Sequence, residues 1–260
     1  MGLGDHAWRI LRTPPWSGAR NMALDEALMT RARRTGECVL RTYAWERPTL
    51  SLGRNQLVRD RIDVPRARAS GMNVVRRPTG GRALLHHREL TYSVTAPLAP
   101  GASARRWYEA INELLLAAIQ SLGVSAVPAN VVGRTPSPGS ASCFLRPDAG
   151  EISVDGRKLV GSALLREQDA LLQHGSILIE DDQGMLADFL PEDEPASLPA
   201  ASLHDALGFA PDAELVADAV ERALRHAGGS ATPLLTDPEL ERDLETATAR
   251  YVSEAWTYLR

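Results

Sequence analysis

Arg76-Arg77-Pro78-Thr79-Gly80-Gly81-Arg82-Ala83-Leu84-Leu85-His86 is the segment on which the reading of this chain turns. It lies between two strand-like runs, Asn73–Arg76 and Leu90–Val94. Glycine takes backbone angles closed to other residues, so Pro78-Thr79-Gly80-Gly81 reads as a turn between strands. Successive glycine N–H groups can converge on one concavity, and the flanking arginines add positive charge. That arrangement suits a phosphate, a carboxylate or an acyl carbonyl. A surface hairpin with ordinary basic residues fits the same letters. His86, followed at once by His87, is equally ambiguous: it either faces a site or is a hydrogen-bonded structural residue.

Outward from this turn, Cys38–Tyr43 and Thr49–Leu52 read as short strands, separated by Pro48. Asn21–Arg34 reads as an early helix, with Met22, Leu24, Ala27, Leu28 and Ala32 apolar and Gly36 as its stop. Ser103 is a good cap for a long helix in which Trp107, Ile111, Leu114, Leu115, Ala118 and Leu122 recur at helical spacing up to Gly123. Ile152-Ser153-Val154 and Lys158–Leu164 flank Asp155-Gly156, the dipeptide of a type I′ hairpin, and Leu171–Ile179 extends the meander. Beyond Pro191 the chain becomes acidic and rich in Ala and Pro. Asp212–His226 and Pro238–Trp256 then read as helices. Strands mixed with peripheral helices, without regular alternation, predict an α+β fold with a large mixed, mainly antiparallel sheet flanked by helices. We expect one domain over 1–260, with 190–260 as its helical C-terminal part.

Composition narrows the function. The 260 residues are 44% hydrophobic, enough for a substantial core. With 29 basic and 33 acidic side chains interspersed and a net charge of −4, there is no basic stripe for nucleic acid. Two cysteines, Cys38 and Cys143, make no disulfide framework and no metal-ligand spacing, so no protein-bound metal is expected. The N-terminus lacks a signal peptide's apolar run of about 7–15 residues, and no stretch approaches the roughly 20 apolar residues of a membrane span. A cytoplasmic location and no membrane partner are the resulting expectations.

Cys143 follows the Pro/Gly-rich loop 136–139, with Arg134 and Arg146 nearby in sequence. Positive charge that lowers a thiol pKa makes a nucleophile able to carry an acyl group as a thioester; without it, a free cysteine is a small buried hydrophobe. Lys158, just past the Asp155-Gly156 turn, is placed either to stabilise charge on an acyl carbonyl or to sit exposed on an edge strand. Cys38 begins an apolar strand and belongs to the core.

In order along the chain, Arg76 to Ala83, His86, Glu89-Leu90-Thr91-Tyr92-Ser93, Gly156 to Ala163 and Leu172-Gln173-His174-Gly175-Ser176-Ile177-Leu178 resemble the signatures of the biotin/lipoate protein ligase catalytic domain. Asn21 to Ala27 resembles that family's opening helix, Ser51 to Gln56 its second strand and Tyr251 to Trp256 its closing segment, so the resemblance spans nearly the whole chain. It implies an acyl chain beside the Gly-Gly loop, with Arg76, Thr79, Gly80, Gly81, His86, Gly161, Ser162, Ala163, His174 and Gly175 binding substrate and Lys158 as the family's active-site lysine.

Within the family, Cys143-Phe144 is placed like the nucleophile of the Gram-positive type of octanoyltransferase. The resemblance then implies an octanoyl thioester on Cys143, with acyl carrier protein as donor. The acceptor is a lysine of the glycine-cleavage H protein or a dehydrogenase E2 lipoyl domain. The protein would be a monomer and need no cofactor. An ATP-dependent lipoate–protein ligase, using ATP and Mg2+ to make lipoyl-AMP, is the alternative; a non-catalytic binding or regulatory homologue is a third. The chain's end at Arg260 is read as leaving little room for the accessory domain of many ligases. Departures from the transferase pattern are Phe144 to Gly150, which lacks an aromatic-acid pair, Leu164 where glutamine is common, and a less basic Leu165-Arg166-Glu167-Gln168.

Overall fold

The structure is a computed structural model that describes residues 2–59, 61–129, 150–191 and 199–259; Cys143 lies outside the described residues. Its first helix, α1 (Gly18–Thr35), begins where the Ser17 hydroxyl accepts the Arg20 N–H. It ends at Gly36, whose φ of 71° is the left-handed angle that glycine adopts without penalty. The cap, rather than the first apolar residue, sets the boundary, so α1 starts before the Asn21 expected from spacing.

The strands in chain order are β1 (Trp8–Arg12), β2 (Cys38–Tyr43), β3 (Thr49–Leu52), β4 (Asn73–Arg76), β5 (Leu84–His86), β6 (Glu89–Pro97), β7 (Val127–Pro128), β8 (Ile152–Val154), β9 (Arg157–Glu167), β10 (Ala170–Leu178) and β11 (Ala231–Pro233). Among the described residues they form two sheets, ordered β11-β1-β2-β6-β10-β9-β8-β7 and β4-β3-β5. In the larger sheet β1 runs parallel to both β2 and β11, and the remaining pairings are antiparallel. The mixed, mainly antiparallel expectation holds, with a small second sheet added. That sheet escapes the sequence because β5 is only three residues long; it is β5, not β6, that follows the Pro-Thr-Gly-Gly turn.

Further helices are α2 (Val64–Ala69), α3 (Ala104–Ser121), α4 (Leu203–Leu207), α5 (Ala213–His226), α6 (Pro238–Tyr251) and α7 (Glu254–Thr257). The chain turns extended at Ser253, which divides into α6 and α7 what apolar spacing reads as one helix. On one face of the large sheet, Trp107, Ile111 and Leu115 of α3 and Val216 and Val220 of α5 pack with Leu40, Val94, Leu171 and Ile177. Leu115 is fully buried, and its truncation to alanine would cost about 2–5 kcal/mol. The opposite face is covered by α1, against which α6 packs.

Two tight backbone features fix Lys158 and the Pro-Thr-Gly-Gly turn in place. Asp155 (φ 49°) and Gly156 (φ 73°) make the left-handed pair of a type I′ turn, which sets Lys158 opposite Ser153. At the other edge, the Arg54 N–H donates to the Thr79 carbonyl at 2.8 Å, drawing the Pro-Thr-Gly-Gly turn onto the loop after β3. A Cβ on Gly53 would sit 1.9 Å from the Gly81 oxygen, so only glycine permits this approach.

Candidate active site

On β10, His174 and Ser176 point to the α1 face of the large sheet, where the side chains of α1, the Pro-Thr-Gly-Gly turn and β5 converge. A cavity of about 80 Å³ opens there. Gly81, His86, Gly161, Ser162, Ala163, His174 and Gly175, all singled out in the sequence, line it together with Arg77 and Glu151. Part of its wall is bare backbone: a Cβ on Gly175 would lie 2.1 Å from the Gly161 oxygen and 2.9 Å from the Tyr92 ring.

Asp25 of α1 organises one side. Its Oδ1 accepts from Arg41 (2.7 Å) and the Ser93 hydroxyl (2.8 Å), and its Oδ2 from the Tyr43 hydroxyl (2.9 Å) and His174 Nδ1 (3.0 Å). Burial pushes the Asp25 pKa up, but the Arg41 charge and the His174 and Ser93 hydrogen bonds outweigh it and hold the carboxyl below its ordinary range. For His174 burial dominates, and the imidazole pKa is lowered despite Asp25. A neutral His174 donates through Nδ1 to Asp25 and accepts at Nε2 from the Thr79 hydroxyl, 2.6 Å away. This chain of bonds ties α1 to β10 and β10 to the turn.

The two arginines of the turn serve backbone. Arg76 is fully buried, and its guanidinium donates to the carbonyls of Gly53, Gln56 and Thr257 at 2.6, 2.9 and 3.0 Å. Arg77 donates to the carbonyls of Gly80, Arg82 and Ser51. Expected to present charge to substrate, Arg76 instead fastens the loop from behind, because carbonyls with no sheet partner need donors when buried. Gly81 has φ 96°, which requires glycine, whereas no atom stands within 4 Å of a Cβ built on Gly80.

Lys158 is not on an exposed edge. Its Nζ lies 2.8 Å from Glu151 Oε2, with the two side chains 1% and 2% exposed. Glu151 Oε1 also accepts the Ser162 N–H at 3.3 Å. Glu151 lines the cavity, and Lys158 is paired with it.

Across the cavity, His86 Nδ1 is 2.6 Å from Glu89 Oε1, which also accepts from the hydroxyls of Thr91 (2.6 Å) and Ser176 (2.8 Å). The His86 ring stacks on Trp45 at 3.9 Å, and the Trp45 indole N–H donates to Thr91.

Asp25, Glu89 and Glu151 carry no role in the sequence reading. A signal existed for Asp25: Asn21, Asp25, Leu28 and Ala32 share one face at helical spacing, so a charge falls on a buried stripe. Glu151 precedes β8 and Glu89 is the first residue of β6, places where an acidic residue is unremarkable. Cys38 is buried, and desolvation pushes its thiol pKa up to about 12, which suits a core residue and not a nucleophile. Among the described residues there is no group of three His, Cys, Asp or Glu placed to hold a metal, and no helix is long and apolar enough to cross a membrane.

Residues 17–225 match the lipoyl protein ligase A/B catalytic domain. The chain belongs to that family. Within it, the chain is 39% identical to octanoyltransferase LipM of Kyrpidia tusciae over 96% of its own length and 98% of that protein's. Against octanoyltransferase LipM of Symbiobacterium thermophilum it is 37% identical, covering 96% and 97%. Its fold is also that of a lipoate-protein ligase A solved with bound ATP (TM-score 0.81, 20% identity, covering 97% of this chain and 98% of that one). A bipartite lipoate protein ligase from Thermoplasma acidophilum, studied with its E2 lipoyl domain, superposes with the same score and identity over 98% of both chains.

Proposed function

We propose that this member of the lipoyl protein ligase A/B family is an octanoyltransferase of protein lipoylation that works through a thioester on Cys143. In the first half-reaction the Cys143 thiolate attacks the thioester of octanoyl acyl carrier protein and the carrier thiol leaves. In the second, the ε-amine of a lysine on an E2 lipoyl domain or glycine-cleavage H protein attacks the Cys143 thioester. Lys158 supplies positive charge toward the oxyanion of each tetrahedral intermediate, and Thr79, Gly80, Gly81, Gly161, Ser162, Ala163 and Gly175 shape the acyl site. Arg76 holds that loop in place, and the protein acts as a monomer on its two carriers.

The observation that carries this reading is the Glu151 carboxylate in the cavity wall, paired with Lys158. A ligase would bring the phosphate of an acyl-adenylate beside the Glu151 carboxylate, and like charges in a buried site repel. A thioester enters uncharged, and negative charge develops only transiently, on the oxyanion of the tetrahedral intermediate. End-to-end similarity to octanoyltransferases points the same way. The proposed route uses neither ATP nor Mg2+.

Intact-mass measurement after mixing the protein with octanoyl acyl carrier protein tests it. One added octanoyl group without ATP, absent in Cys143→Ala, is the expected result. Acylation of a lipoyl domain only when ATP, Mg2+ and free octanoate or lipoate are supplied would replace this reading with the ligase.

A further inference from the structure

The two histidines of the cavity are held differently. His174 has both ring nitrogens engaged, one by Asp25 and one by Thr79. His86 has only Nδ1 engaged. Glu89 Oε1 gathers three donors, and a carboxylate accepts but does not donate, so it fixes the proton of a neutral His86 on Nδ1. The lone pair is thereby left on Nε2. Among the described residues Nε2 has no hydrogen-bond partner, and it is not among the buried polar atoms sealed without one. His86 lines the cavity, and Trp45 stacked on its face prevents the ring from tilting away.

Acyl transfer to a lysine needs such a group. The acceptor side chain has an ordinary pKa of about 10.4 and arrives as an ammonium, which has no lone pair with which to attack. The other charged groups in the lining or beside it are engaged: Asp25 with Arg41 and His174, Glu151 with Lys158, and Arg77 with the carbonyls of Gly80, Arg82 and Ser51. We infer that His86 Nε2 is the base that deprotonates the acceptor lysine, with Glu89 as the residue that positions it.

The step balances on the proposed thioester route. Nε2 takes one proton from the ammonium, and the freed amine attacks the acyl carbon. The C–N bond forms as the C–S bond to Cys143 breaks. The departing sulfur takes the second proton from nitrogen, and His86 returns its own proton to water. The inference rests on the acyl-transfer reading but not on the identity of the leaving group.

An acceptor that is already neutral bypasses the base, and hydroxylamine is one at neutral pH. The experiment therefore measures octanoyl transfer to a lipoyl domain and to hydroxylamine, side by side, for the unsubstituted protein, His86→Ala and Glu89→Gln. We expect the lysine-to-hydroxylamine ratio to fall about 100-fold in His86→Ala and about 10-fold in Glu89→Gln. Added imidazole restores part of the lysine rate in His86→Ala. Equal loss of both acceptors, or no loss of either, would overturn the assignment. The ratio tests His86 whichever activated acyl group is the donor, while the mass of the protein after mixing with octanoyl acyl carrier protein separately reports on the thioester.

Discussion

Lys158 Nζ and Glu151 Oε2 stand 2.8 Å apart with both side chains withdrawn from solvent. Removing one partner leaves the other's charge desolvated. Glu151→Ala is expected to lower stability by about 3–5 kcal/mol, and the double substitution Glu151→Leu/Lys158→Met to recover most of that loss while remaining inactive. Urea denaturation of Glu151→Ala and of the double variant measures both effects.

Asp25 gives a pH-dependent contribution. Its carboxyl pKa is lower in the folded protein than its unperturbed 3.8, so the stabilisation is complete above that value and is lost as the pH falls through the lower folded pKa. Asp25→Asn should therefore be less stable than the unsubstituted protein by about 3 kcal/mol at pH 7, with the gap closing below roughly pH 4. Unfolding curves at pH 3, 5 and 7 check it; a gap unchanged between pH 7 and pH 3 contradicts the assignment.

His174 acts in a higher window. Its folded pKa is lowered from 6.5, so an unfolded chain takes up a proton below that pH that the folded chain resists. Stability falls as the pH drops below about 6.5, and His174→Gln should flatten that slope. Thr79→Val probes the same bond from the other end: it leaves His174 Nε2 without its donor, at a cost of about 1–3 kcal/mol in thermal or urea unfolding.

The glycines of the site divide by what surrounds them. Gly53→Ala and Gly175→Ala each force a Cβ against a main-chain oxygen, and each should cost about 1–3 kcal/mol together with most of the transfer rate. Gly80→Ala meets open space and should change stability by less than about 0.5 kcal/mol. Melting temperatures and transfer rates of the three variants, compared in one buffer, separate them.

Much of the fold is legible in the sequence because it is local. The type I′ turn at Asp155-Gly156 is encoded by two residues, and the buried face of α3 by a helical repeat. The alternation of β10 places His174 and Ser176 on one side. What escapes the sequence depends on distant partners. The parallel pairing of β1 with β11 joins residues at opposite ends of the chain. Arg76 looks like a ligand for an anion until the carbonyls of Gly53, Gln56 and Thr257 are seen around it. Glu151 and Glu89 have partners close in sequence, Lys158 and His86, but only the fold shows that both pairs are buried, with Ser176 of β10 brought onto Glu89.

The bare-backbone wall at Gly161 and Gly175 has a bearing on which acyl chains fit. Main chain locked into a sheet ladder does not change rotamer, so that side of the slot is a fixed rail with a constant gauge. On the proposed function, measuring of the fatty chain falls to the larger apolar and aromatic side chains elsewhere in the lining, among them Met22, Tyr43 and Leu84. Of these, Tyr43 is pinned by its hydroxyl to Asp25, so on the proposed acyl-transfer reading Met22 and Leu84 are the apolar side chains placed to act as stops.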